Sequence, residues 1–255
     1  AATTNPWTSS NTAVATVSST GLVTAISPGT ATITYTNSNG CQRTVTFTVN
    51  SLPTISGTLS ACVNATSQLT GTATAATTNA WISSNTSVAT VSSAGLVTAI
   101  APGTTTITYT NSNGCQVTAI FTVLALPTIS GTLSACVNAT SQLSGSASPA
   151  TTNPWTSSNG LVATVSSTGL VTGLTAGTTT ITYTNSNGCQ VTATFTVNAL
   201  PTISGTLSAC VNATSQLTGS ATAATTNPWT SSNTVVATVS STGLVTGVSL
   251  GTTTI

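Results

Sequence analysis

Charge is almost absent from this sequence. Its 255 residues include one arginine, Arg43, and no lysine, aspartate, glutamate or histidine. General acid–base catalysis needs a side chain that titrates near the working pH, and neither a carboxylate nor an imidazole is present. A serine or threonine nucleophile would have no neighbouring base to activate it. One arginine cannot neutralise a row of phosphates. The composition therefore predicts no enzyme, no catalytic residues and no nucleic-acid partner.

Ligands for a metal or cofactor are equally scarce. Calcium is held mainly by carboxylate and carbonyl oxygens, and zinc needs clustered thiolates or histidines. The six cysteines form no C-x-x-C pair. An apolar run of about 20 residues, the length that spans a bilayer as a helix, is also missing. We therefore expect no metal site, no cofactor and no insertion into a membrane.

What the chain does contain is a repeat of 74 residues. A fixed period of this size is typical of an array in which each copy is one structural unit. The marker residues are Trp7, Trp81, Trp155 and Trp229; Tyr35, Tyr109 and Tyr183; and two cysteine series, Cys41, Cys115, Cys189 and Cys62, Cys136, Cys210. The tryptophans and tyrosines are the largest side chains of a small unit, so we expect them in its core.

A Leu-Pro pair recurs once in each 74-residue period. Proline suits the first residue of an opening strand, so we place the boundaries between copies at these pairs. The boundaries that they predict are 1–51 (the C-terminal part of a repeat), 52–125, 126–199 and 200–255 (the N-terminal part of a repeat). This division indicates a portion of a longer array.

Alternating sequences predict the strands of each copy. In Thr30–Thr36, Ala31, Ile33 and Tyr35 alternate with four threonines, which is the period-two pattern of a half-buried strand. The turn sequence Asn-Ser-Asn-Gly follows, and Thr44–Val49 alternates again, so a β-hairpin is expected here and at 104–123 and 178–197. A second hairpin is expected at Val88–Thr98, and opening strands at Thr54–Ser60 and Thr66–Thr74. The prediction is an all-β fold of antiparallel sandwiches.

The stretch from Trp81 to Tyr109, W-I-S-S-N-T-S-V-A-T-V-S-S-A-G-L-V-T-A-I-A-P-G-T-T-T-I-T-Y, resembles the group 2 bacterial immunoglobulin-like domain. That family has the core motif W-S-S-x-x-x-x-A-x-V…G-x-V-x-A…G-x-x-x-I, and the match recurs from Trp7, Trp155 and Trp229. The resemblance implies tandem immunoglobulin-like sandwiches arranged end to end, of the kind that serve as spacers in large surface adhesins. The added C-V-N-A-T and N-G-C elements resemble giant surface proteins of Bacteroidota that use type IX secretion. Calcium-binding members of the family use acidic residues, which this chain lacks.

An immunoglobulin-like topology also bears on the cysteines, for which an exported protein suggests disulfides. Cys62 lies at the corner after the first strand and Cys115 opens the last strand, so the topology places them at opposite poles of one sandwich. A disulfide tolerates a Cα separation of only about 4.4–6.8 Å. We therefore favour an interdomain bond, Cys62–Cys189. Cys41, Cys115, Cys136 and Cys210 would follow the same pattern with partners outside this sequence. An intradomain Cys62–Cys115 bond, interchain bonds and free thiols remain open alternatives.

The function expected from these observations is structural. The chain would be a stalk or filament segment that extends an adhesive tip from the cell surface, with an extracellular location. Its partners would be the neighbouring repeats of the same chain and parallel copies of itself in a bundle. Two alternatives remain: a hydroxyl-rich binding module for ice or polysaccharide, built on rows such as Thr104–Thr110, and a self-assembling multi-chain fibre.

Overall fold

The computed structural model describes residues 5–255, and every regular element in that range is a β-strand. None of these residues belongs to a helix that could cross a membrane. The chain divides into two compact units. The first extends to Pro127 and also takes in Asn187–Cys189, while the second contains Thr128–Ser186 and Gln190–Ile255.

The first unit contains fourteen of the described strands. Those in residues 5–51 are β1 (Trp7–Ser9), β2 (Ala15–Val17), β3 (Val23–Ala25), β4 (Gly29–Thr36) and β5 (Gln42–Val49). Those in the following repeat are β6 (Ile55–Ser56), β7 (Ser60–Cys62), β8 (Thr66–Gln68), β9 (Thr70–Gly71), β10 (Trp81–Ser83), β11 (Ala89–Val91), β12 (Leu96–Ala99), β13 (Gly103–Thr110) and β14 (Gln116–Leu124). The complete repeat forms a sheet of order β10-β13-β14-β7, faced by β11-β12-β8 and the pair β6-β9.

The second unit repeats this plan. Its strands are β15 (Ile129–Gly131), β16 (Ser134–Cys136), β17 (Thr140–Gly145), β18 (Trp155–Ser157), β19 (Ala163–Val165), β20 (Leu170–Gly173), β21 (Gly177–Thr184), β22 (Gln190–Asn198), β23 (Ile203–Ser204), β24 (Thr214–Gln216), β25 (Thr218–Gly219), β26 (Ala237–Val239) and β27 (Leu244–Gly247). The sheets of its first repeat have the orders β16-β22-β21-β18 and β15-β17-β20-β19. The expectation of an all-β, immunoglobulin-like fold is confirmed.

A long hairpin forms one side of the core in each complete repeat, and β13–β14 is the example in residues 52–125. Its strands pair antiparallel over eight residue pairs, from Gly103 opposite Val123 to Thr110 opposite Gln116. Every second side chain of the hairpin points inward, so Tyr109, Phe121 and Val123 are buried together with Trp81. The rings of Trp81 and Tyr109 lie 4.6 Å apart between centroids, at a tilt of 41°. The hairpins at 30–49, 104–123 and 178–197 are therefore confirmed.

The opening strand differs from the prediction. Thr54–Ser60 is not one strand, because the chain bends at Gly57, whose φ is +117°. A Cβ added at Gly57 would lie 2.5 Å from the backbone oxygen of Gln68, so this bend accepts only glycine. β6 pairs antiparallel with β9 in one sheet, while β7 pairs parallel with β14 in the other. The bend therefore carries the chain from one sheet to the other.

Burial of the marker aromatic residues differs between repeats. Trp81, Trp155, Tyr109 and Tyr183 are buried, and Trp7 and Trp229 are half-buried. Tyr35 departs from the expected core position because 40% of it is exposed, and Val45 on the neighbouring strand is 61% exposed. In the complete repeat, Gly71 lies against the ring of Tyr109, whereas residues 5–51 include no strand equivalent to β9. Tyr35 therefore packs against Trp7, with centroids 4.7 Å apart, without that second covering layer.

Candidate functional site

The first of the two candidate cysteine positions is the corner that follows β7. Cys62 lies opposite Leu124 at the end of β14. Its neighbours are fixed to two different strands, since the Val63 N–H donates to the Leu124 carbonyl and the Asn64 N–H donates to the Ala99 carbonyl, both at 3.0 Å. Asn64 adopts φ +67°, which turns the chain back toward β8. Cys62 is thus anchored at one pole of the sandwich.

The second position is the turn of the long hairpin. In the first unit Asn111 is 2% exposed, and its Oδ1 accepts hydrogen bonds from the N–H groups of Asn113 and Cys115, each at 3.0 Å. The Ser112 N–H donates to the Thr74 carbonyl at 2.7 Å. The turn that presents the cysteine is therefore held from inside by a buried amide. The turn pattern alone did not predict this role, although asparagine recurs four residues before the hairpin cysteine in every copy.

These two positions cannot meet within one repeat. Cys62 is beside Leu124, whereas Cys115 directly precedes Gln116, the first residue of the same strand. A strand of that length, nine residues, covers about 30 Å at roughly 3.3 Å per residue. A disulfide allows a Cα separation of at most about 7 Å. The geometry thus disfavours the intradomain Cys62–Cys115 alternative.

The structure instead joins Cys62 to Cys189, the hairpin cysteine of the next repeat. The two Sγ atoms are 1.97 Å apart and the Cα atoms 5.7 Å apart, with 127 residues of sequence separation. Cys189 is 1% exposed and Cys62 is half-buried. Residues Asn187–Cys189 belong to the first compact unit, the one that contains Cys62. Within the described residues, the other four cysteines, Cys41, Cys115, Cys136 and Cys210, have free thiols.

The second candidate site is the outer face of the long hairpin. In the second unit it carries threonine pairs directly opposite each other across β21 and β22, namely Thr178 and Thr196, Thr180 and Thr194, and Thr182 and Thr192. In the first unit Ile120 interrupts the pattern opposite Thr106. These side chains are exposed or half-buried. Threonine is also the ordinary residue for an exposed strand face, because it is polar and β-branched.

Clusters that could hold a metal ion are not found in residues 5–255, where no three cysteines, histidines or carboxylates come together. A cavity of about 660 Å³ lies in residues 200–255 and is lined by Leu217, Val236 and Val245. In the preceding repeat the equivalent leucine, Leu143, belongs to a core that includes Phe195 and Val197 of β22. The cavity thus corresponds to core space that a hairpin fills in its neighbour.

Comparison with known families identifies the repeat. The model of the bacterial Ig-like domain (group 2) matches residues 2–49, 48–121, 128–197 and 197–255, which together cover nearly the whole chain. This chain belongs to that family. Its four group 2 domains follow one another in tandem. A comparison with curated proteins found no match.

Solved structures with a similar fold include invasin, intimin and the surface layer protein SbsC. Invasin, described as an integrin-binding protein, is 18% identical over 96% of this chain and 66% of its own, with a TM-score of 0.31. The C-terminal part of intimin, solved with its receptor's binding domain, is 20% identical over 72% and 62%, with a TM-score of 0.31. Domains 4–9 of the surface layer protein SbsC are 22% identical over 79% and 40%, with a TM-score of 0.22. The chain spans less than two thirds of each of these structures, and likeness at this level carries no statement about function.

Proposed function

We propose that this chain is a segment of a structural stalk or filament in a large extracellular bacterial adhesin or attachment appendage. Its task would be to hold an adhesive tip away from the cell. The observation that carries this proposal is the disulfide between Cys62 of one repeat and Cys189 of the next. A covalent bond between consecutive domains restricts their movement apart, which is useful in a chain that has to keep a fixed length.

The likeness between the copies supports a spacer. The tryptophan and tyrosine ring centroids lie 4.6 Å apart in both complete repeats. The tyrosine hydroxyl donates to the equivalent backbone carbonyl in each, Tyr109 to Ala73 at 2.9 Å and Tyr183 to Ala147 at 2.8 Å. A protein with one specific binding site needs a copy that differs from the others. A spacer needs only repeated units, because the number of units sets its length.

The location and origin of the protein are part of the same proposal. Disulfides form and persist mainly outside the reducing cytosol, which favours an exported protein. The C-V-N-A-T and N-G-C elements that supply the two cysteine series resemble those of Bacteroidota surface proteins. We therefore propose a type IX secretion client of the gliding-adhesin or attachment-appendage type. Its partners would be its own neighbouring repeats and, in a bundle, parallel copies of itself.

Changing the repeat number in the native host tests the spacer role. One variant lacks residues 52–125, and the matched control replaces the same residues with a second copy of 126–199. Deleting a repeat removes about 30 Å of reach, judged from the length of β14, so the surface layer seen by electron microscopy becomes thinner. The replacement keeps the reach and should keep adhesion. Adhesion lost equally in both variants, or no labelling of the protein on intact cells, would reject the proposal.

A second candidate function rests on the register of the threonine face. Because Thr178–Thr196, Thr180–Thr194 and Thr182–Thr192 are directly paired, their hydroxyls form a regular array that could bind ice or a polysaccharide. Thermal hysteresis and glycan binding by the purified chain test this directly. The matched variant Thr180→Val removes one hydroxyl from the array with little change of shape. Absence of both activities in the unmodified chain would reject the second candidate.

A further inference from the structure

The Cys62–Cys189 bond closes a very large covalent loop. It encloses residues 63–188, which are 126 of the 255 residues of the chain. The loop contains strands β8 to β14 of one repeat and β15 to β21 of the next. Nearly all of both hydrophobic cores, including Trp81, Phe121 and Trp155, therefore lies inside it.

Tension applied to the two ends of the chain reaches this loop at its two cysteines. From the N-terminal side the force arrives along β7 at Cys62, and on the C-terminal side it leaves from Cys189 into β22. The shortest covalent path between these residues is the bond between their Sγ atoms. Residues 63–188 thus carry no tension as long as the bond is intact, and unfolding them adds no length.

From this connectivity we infer that the Cys62–Cys189 bond is a tension-bearing bypass that makes two consecutive domains almost inextensible. Only residues 52–62 and 189–199 of the two repeats remain on the path, 11 residues each. Their full extension covers about 75 Å, against about 500 Å for the 148 residues of two unbridged repeats, at roughly 3.4 Å per residue. The bond would therefore limit how far this part of the chain can lengthen.

Both ends of the bypass are held by hydrogen bonds to residues that lie within the loop. On the Cys62 side, Val63 is bonded to Leu124 and Asn64 to Ala99. On the Cys189 side, Ser186 N–H donates to the Ser148 carbonyl at 2.8 Å, which holds the hairpin turn against its own repeat. Exchange with an external thiol requires access to a sulfur atom, and Cys189 is 1% exposed. The folded structure thus shields the Cys189 sulfur from exchange, while Cys62 is half-buried.

This inference rests on the proposed function, because a stalk is the setting in which tension acts on the chain. Single-molecule force spectroscopy of the full chain, held by its two ends under non-reducing conditions, tests it. The unmodified chain should reach a final contour length shorter than that of Cys62→Ser by 126 residues, or about 430 Å at roughly 3.4 Å per residue. Cys189→Ser should show the same full length as Cys62→Ser.

Two controls assign the effect to this bond. Cys136→Ser makes the same substitution at the equivalent position one repeat later, where the thiol is free, and should match the unmodified chain. A variant with serine at Cys41, Cys115, Cys136 and Cys210 retains only the one pair and should also match it. An unmodified chain that extends as far as Cys62→Ser would overturn the inference.

The force measurement tests the bypass and the cell-surface experiment tests the stalk, so either can be refuted without the other. A shortened contour length together with unchanged reach in the repeat-deletion strain would refute the stalk and leave the bypass standing. A full contour length with the expected loss of reach would refute the bypass alone.

Discussion

Replacing Gly71 with alanine should unfold the complete repeat of the first unit more easily. A Cβ built on Gly71 would lie 2.3 Å from the Cε1 and Cζ atoms of Tyr109, so the ring has to move. That ring packs on Trp81, and its hydroxyl donates to the Ala73 carbonyl at 2.9 Å. Overfilling a packed core costs about 1–3 kcal/mol, and losing a hydrogen bond about 1 kcal/mol more. We expect a loss of about 2–4 kcal/mol in the free energy of unfolding of this repeat.

The chain provides its own control for that substitution. Gly160 lies in the next repeat, and a Cβ added there meets no atom within 4 Å. Gly160→Ala should therefore leave stability almost unchanged. Native-state hydrogen exchange read by mass spectrometry assigns the effect to a repeat, which a single melting curve of a multidomain chain cannot do. Equal protection of the β13–β14 peptides in Gly71→Ala and in the unmodified chain would refute the packing argument.

Three further substitutions test other contacts. Asn111→Ala removes the oxygen that accepts hydrogen bonds from two N–H groups of the turn. The hairpin turn should then lose about 1–3 kcal/mol of protection in hydrogen exchange. Asn111→Asp keeps an acceptor oxygen and should retain most of this protection. Ala73→Gly should raise the free energy of unfolding of this repeat by up to about 1 kcal/mol, read by hydrogen exchange of the β13–β14 peptides, because Ala73 adopts φ +66°; weaker protection of these peptides would contradict this reading. Thr105→Ala should cost about 1 kcal/mol, since Thr105 Oγ1 accepts from the Asn85 N–H at 3.0 Å, and an unchanged stability would mean that this buried hydroxyl contributes nothing. Ala31 occupies the position equivalent to Thr105 in the first repeat, so the fold should tolerate Thr105→Ala.

Local pattern was sufficient to predict the hairpins. The alternation of threonine with Ala31, Ile33 and Tyr35 predicts a strand, and Asn-Gly pairs specify the turn between two such strands. Both signals are contained within about ten residues, and the structure has strands β4 and β5 at these places. Pairing between neighbouring strands is a local property, which is why it can be read without knowing the rest of the fold.

Contacts between distant segments were not predictable in the same way. The division of Thr54–Ser60 at Gly57 depends on the approach of Gln68 from another strand, and the glycine within the segment indicates only that a bend can form there. Asn111 looks like an ordinary turn residue until the fold buries it beneath the turn. At the candidate site, the sequence could therefore give the positions of the cysteines but not the hydrogen bonds that hold them.

The spacing of the two cysteine series explains why the Cys62–Cys189 bond would shorten the extensible path of the chain so much. Cys62 and Cys210 occupy equivalent corners at a sequence separation of 148, yet the path between them through the Cys62–Cys189 bond follows the chain only over the separation of 21 between Cys189 and Cys210. Lysine is absent, so an isopeptide bond between side chains, which requires that amine, cannot reinforce these domains. Salt bridges between side chains are excluded by the same composition. In a chain of this composition, the disulfide is the strongest available means of resisting tension, and its placement between repeats extends that resistance across both.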